Sequence, residues 1–132
     1  MQVVTRLVLQ YEQSILSAFP DMLAGGSMIS ADELKLFHLY ICQSMADPKR
    51  IEILYALSEG ASNVSALTAL LDTPQSTISR HLGHLRQRGL VISERQGKNV
   101  VYSVADPRII QALDLMRNVL QDALKQHSSV YD

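Results

Sequence analysis

Residues 73–89 read TPQSTISRHLGHLRQRG, and this stretch decides the fold. Thr73 is the expected N-cap, and Pro74 suits the first helical position, where its missing N–H would have no partner anyway. Gly89 follows Arg86, Gln87 and Arg88 as a C′ glycine follows a basic last turn. Ile78, Leu82 and Leu85 fall at i, i+4 and i+7 and form one narrow apolar seam. The other faces carry Gln75, Ser76, Thr77, Ser79, Arg80, His81, His84, Arg86 and Arg88, with no Asp or Glu among them. A solvated helix ordinarily mixes both signs of charge. Short polar side chains at the start and cations along the length suit a helix whose first turn meets base edges while its cations meet phosphates.

Upstream, the chain reads as three helical segments. Ser30 and Glu33 make a capping box, followed by Leu34, Phe37, Ile41 and Met45 on one face. Asp47-Pro48 closes that segment and caps the next, which runs to about Ser58, buries Ile51, Leu54 and Leu57, and stops at Gly60. A short helix runs from Asn63 or Val64 to Leu71 with Val64, Leu67, Leu70 and Leu71 inward. Asp72-Thr73-Pro74 is then a tight turn between two helices, which is helix-turn-helix spacing. That spacing alone also suits a plain helical hairpin in a bundle.

The next residues separate the two readings. Residues 90–95, LVISER, and 100–104, VVYSV, are strand-like, with the glycine-containing turn QGKN at 96–99 between them. A β-hairpin directly after a basic helix makes a winged helix-turn-helix, with Arg95 and Lys98 at the wing tip. Asp106 and Pro107 open a last helix carrying Ile109, Ile110, Leu113, Met116, Leu120 and Leu124. That face exceeds the needs of one small domain and offers a two-fold interface, together with the helix from Ser30 and the N-terminal helix. The tail from Gln126 is expected to fray.

At the start of the chain, Val3, Leu7, Tyr11, Ile15 and Phe19 repeat every four residues and end before Pro20, an amphipathic helix that packs on the main domain or on a second copy. Its polar face lacks the Lys and Arg of a membrane-surface helix. Residues 21–28, with Gly25-Gly26, read as a linker. The expected organisation is an N-terminal helix and linker at 1–29, a DNA-binding and dimerisation domain at 30–126, and a tail at 127–132.

The chain's net charge of −1 looks wrong for a nucleic-acid binder, but its distribution does not. Between Thr73 and Val104 five cations stand against Glu94 alone, a net of +4 that leaves −5 for the remainder. The single cysteine, Cys42, excludes an internal disulfide and fits a reducing cytoplasm. No apolar run reaches membrane length, and the start lacks the pattern of a signal peptide. Catalysis has no support: there is no glycine-rich phosphate loop and no nucleophile beside a base.

The residues 46–51, ADPKRI, with Leu54, then QSTISRHL at 75–82, Leu85, Gly89-Leu90-Val91, Gly97-Lys98 and Val101-Tyr102, resemble the ArsR/SmtB family of winged-helix repressors over about residues 33–126. The resemblance implies a mainly α fold with a small β-hairpin and a homodimer whose recognition helices enter successive major grooves of an inverted repeat. It implies DNA contacts from Gln75, Ser76, Thr77, Ser79, Arg80 and His81, with Gln75, Ser76 and Arg80 placed for bases and Arg86, Arg95, Lys98 and Asn99 for phosphates. Ser76 or Thr77 instead bonds the helix backbone, and His81 packs against the wing, in the competing reading.

The family's sensor positions depart from the pattern. Its cysteine pair falls on Asn63 and Ser65, which supply no thiolate. Its Asp, His, His, Glu site falls on Asp106, Arg108, Val119 and Asp122, where half the ligands are missing and one position is a cation, so zinc is not expected there. His38 and Cys42, at i and i+4, are the residual metal candidates, through a His2Cys2 set shared by two chains; the alternative makes both ordinary core or interface residues, or makes Cys42 a redox switch. The expected function is thus a cytoplasmic dimeric repressor that binds double-stranded DNA, holds no cofactor and answers to an unidentified signal. The rival is a protein-interaction module on the same scaffold.

Overall fold

The computed structural model describes residues 29–130, so the expected N-terminal helix and linker lie outside the described residues. The chain divides between Leu39 and Tyr40 into two compact units. In the first, helix α1 (Ala31–Phe37) is capped by Ser30, whose Oγ accepts the Glu33 N–H at 3.2 Å. Leu34 and Phe37 are half exposed. A π-helical segment, His38–Cys42, spans the division and contains both residues of the residual metal pair.

The second unit holds the remaining elements: α2 (Gln43–Met45), α3 (Pro48–Ser58), α4 (Val64–Leu71), α5 (Gln75–Gln87), β1 (Val91–Gln96), β2 (Asn99–Val104) and α6 (Pro107–Val130). Its core is Ile53, Leu54 and Leu57 of α3, Leu67 of α4, Ile78, Leu82 and Leu85 of α5, and Leu90 and Val91 leading into the wing. The α5 seam is the one its spacing predicts, with all three residues fully buried. On α3, Ile53 takes the buried place expected of Ile51, which is only half-buried. On α4, Leu70 is 67% exposed rather than inward; Leu67 alone is fully buried on this short helix.

The helix starts follow the local chemistry. Asp47 Oδ1 accepts the Lys49 N–H at 2.9 Å and Asn63 Oδ1 the Ala66 N–H at 2.8 Å, so α3 and α4 each have a side-chain N-cap. The turn before α5 differs from expectation. Asp72 takes the left-handed conformation (φ +46°), which Asp tolerates better than most residues. Thr73 is buried and its hydroxyl donates to the Leu71 carbonyl at 2.8 Å, so it closes the turn instead of capping the helix. Pro74 is the N-cap residue, and its carbonyl accepts from Thr77 and Ile78.

β1 and β2 are antiparallel, pairing from Val91↔Val104 to Gln96↔Asn99, which leaves Gly97-Lys98 as a two-residue turn. Gly97 (φ +62°) supplies the positive φ such a turn requires, and the strands therefore run one residue further into it than the sequence suggests. An isolated bridge pairs Ser62 with Tyr102 and ties the wing to the α3–α4 connection. Helix α6 continues to Val130, past the position where fraying was expected.

Candidate nucleic-acid interface

Burying Ile78, Leu82 and Leu85 turns the opposite face of α5 outward. Gln75, Ser76, Ser79, Arg80, Arg86 and Gln87 are exposed on it, and Thr77 is half-buried at its edge. Residues at i, i+3, i+4 and i+7 share a face, so Ser76, Ser79 and Arg80 form one patch at the N-terminal half. No side chain caps the first turn of α5. Its outward N–H groups and positive dipole end therefore suit an anion such as a DNA phosphate. Of the residues expected at base edges, Ser76 and Arg80 share this patch, while Gln75 is exposed on the first turn beside it.

The two histidines of α5 are placed differently from the expected surface. His81 is 5% exposed, and its Nε2 lies 3.8 Å from Asp47 Oδ2. Burial pushes the ring below its ordinary pKa, and Arg50, Arg80 and Lys49 add to that effect while Asp47 opposes it. His84 Nε2 lies 3.5 Å from the hydroxyl of buried Ser44, and burial, with Arg50 and Arg88, lowers it too. His81 is therefore buried off the outward face on which the spacing places it, whereas His84 is half-buried at its edge. His81 thus lies beside the α3 cap.

Behind these rings a polar brace fixes α5 to the α2–α3 corner. Arg50 Nε donates to the Ser44 carbonyl at 2.8 Å and its Nη2 to the Gln43 carbonyl at 2.7 Å. Ser44 Oγ donates to the Tyr40 carbonyl at 2.8 Å. At the other end of α5, the Arg88 guanidinium sits 5.5 Å from the Tyr40 ring centre, a cation–π distance. Sequence reasoning saw Asp47 only as a cap and missed Ser44 and Arg50, because nothing local links them to α5.

Arg95, Lys98 and Asn99 are exposed on the wing. Directly paired residues share a face of an antiparallel ladder, so Arg95 stands with Val100 while Glu94 stands with Val101 on the other side. Lys98 occupies the tip itself. The pleat thus puts Arg95 on the face opposite Glu94.

Two of the positions where the family keeps metal ligands are engaged in bonds within the chain. Asn63 is spent on the α4 cap. Both Asp106 carboxylate oxygens are held by the Arg108 side chain, at 2.6 to 3.1 Å, and that guanidinium lowers the Asp106 pKa to about 2. Among the described residues no three His, Cys, Asp or Glu side chains gather as a metal site, and Cys42 is an exposed free thiol.

Comparison with known proteins agrees with this geometry. Residues 47–93 match the family described as "Bacterial regulatory protein, arsR family". The chain is 39% identical over 72 residues to the HTH-type transcriptional regulator NmtR of Mycobacterium tuberculosis, covering 54% of this chain and 60% of that protein. It is 39% identical over 79 residues to the HTH-type transcriptional regulator CmtR of Mycobacterium bovis, covering 59% and 67%. The solved homodimeric winged helix-turn-helix DNA-binding domain of Mb0332 from Mycobacterium bovis superposes with a TM-score of 0.66 at 26% identity, over 79% of this chain and 95% of that one. The chain thus spans about 60% of the length of the first of these relatives.

Proposed function

The chain belongs to the ArsR/SmtB family of bacterial regulatory proteins, and from that premise we propose that it is a DNA-binding transcriptional repressor working as a homodimer in the cytoplasm. The carrying observation is the outward patch of Gln75, Ser76, Ser79 and Arg80, backed by a fully buried seam and flanked by a cationic wing tip. Side chains from a helix so held read base edges, and Arg86, Arg95, Lys98 and Asn99 hold the phosphates.

Two copies meet through α6. Met116, Val119, Leu120 and Leu124 are each more than half exposed along one helix, more apolar surface than an isolated domain leaves in water. The Mb0332 domain is homodimeric, which supports the same assembly here. Repression follows from occupying a promoter and needs no chemistry on a substrate. Among the described residues no helix is long and apolar enough to cross a membrane. The signal that releases DNA acts elsewhere than at the family's metal positions, where Asn63 caps a helix and Asp106 is paired with Arg108. His38 and Cys42 are the residual metal pair.

Titrating a duplex with the protein between roughly 50 and 200 mM salt tests the reading. Counterion release makes the logarithm of affinity fall linearly with the logarithm of salt, by orders of magnitude over that range. Affinity indifferent to salt favours the protein-interaction module instead.

A further inference from the structure

Gly83 lies inside α5, where glycine weakens a helix relative to alanine. Nothing in the fold asks for it. Gly83 lacks a positive φ, and no atom lies within 4 Å of the place a Cβ would occupy. Helical spacing puts it among Ser76 (i−7), Ser79 (i−4), Arg80 (i−3) and Gln87 (i+4), all exposed. It therefore lies on the outward face, across the helix from the buried seam, and is itself half-buried.

The dimensions of DNA give that position a role. A helix with its side chains is about 10–12 Å across, and the major groove is about 12 Å wide and 8.5 Å deep. A helix carrying full side chains along its outward line fills the opening before its backbone gets deep. A missing side chain on that line lets the backbone sink while Arg80 and Gln87 reach to either side. We propose that Gly83 is the point of closest approach between α5 and the groove, and that its bare Cα sets how deeply the helix seats. A side chain there holds Gln75, Ser76 and Arg80 away from base edges. This rests on the DNA-binding reading above.

The test compares wild type, Gly83→Ala and Gly83→Leu in the full chain by thermal unfolding and by affinity for a duplex that the wild type selects from a random pool. Gly83→Ala is expected to melt a few degrees higher than wild type, since its methyl meets open space, yet to bind the selected duplex at least tenfold more weakly. Gly83→Leu binds more weakly still. Affinity for Gly83→Ala equal to wild type, in a variant that melts as high or higher, overturns the inference and leaves the regulator reading standing. A wild type that selects no duplex at all overturns both.

Discussion

The His81 imidazole lies 3.8 Å from the Asp47 carboxylate, joining the inner face of the recognition helix to the cap of α3. The ring is held neutral, so this contact is not an ion pair at neutral pH.

That arrangement makes stability depend on pH. His81 and His84 both titrate below their ordinary 6.5 in the folded chain. Above pH 7 they are neutral folded or unfolded, and their contribution is fully present. As pH falls below about 6.5 the unfolded chain takes up protons that the folded chain refuses, so stability falls. Asp47, lowered first by its bond from the Lys49 N–H, adds a further loss below its ordinary 3.8. The melting temperature should be level above pH 7 and drop steadily toward pH 5, with a shallower drop in His81→Gln. A level profile down to pH 5 contradicts the buried placement of these rings.

Arg80→Ala should cost about 1–3 kcal/mol of discrimination on the selected site, because a bidentate contact to a base is lost. Arg80 is exposed, so folding and dimer mass should be unchanged. Competition binding between the selected site and a scrambled one measures this. An unchanged ratio removes Arg80 from base readout.

Lys98→Ala should weaken binding to all duplexes alike. Each lost phosphate contact lowers the salt slope by about 1, and the two wings of a dimer lower it by about 2. Binding isotherms at several salt concentrations give the slope; one equal to wild type means the wing tip stays off the backbone.

Leu120→Glu should leave the domain folded, because Leu120 is 58% exposed, while placing a charge in the proposed two-fold face. Sedimentation should show the mass of one chain, and affinity for a two-half-site duplex should collapse. A variant still at twice the chain mass places the interface elsewhere.

How much of this was legible in the sequence differs element by element. Ile78, Leu82 and Leu85 announce the seam of α5 because a helix has one period and no competing pattern crosses it. Asp47, Asn63 and Gly97 announce their cap and turn roles because those depend on a few neighbouring residues. His81 was misplaced, since a titratable residue at the edge of a seam lies inside or outside according to what packs against it, and its partner Asp47 belongs to another helix. Leu70 failed for a related reason: on an eight-residue helix only Leu67 meets the core from one side fully. The Ser44–Arg50 brace depends on how distant segments meet, which no local pattern records.

Selection of bound sequences from random duplexes bears most directly on the account. The proposed dimer, presenting two α5 patches, should enrich an inverted repeat whose half-site centres lie about 34 Å apart, one helical turn of DNA. Enrichment of single unpaired half-sites, or of no sequence, would contradict it.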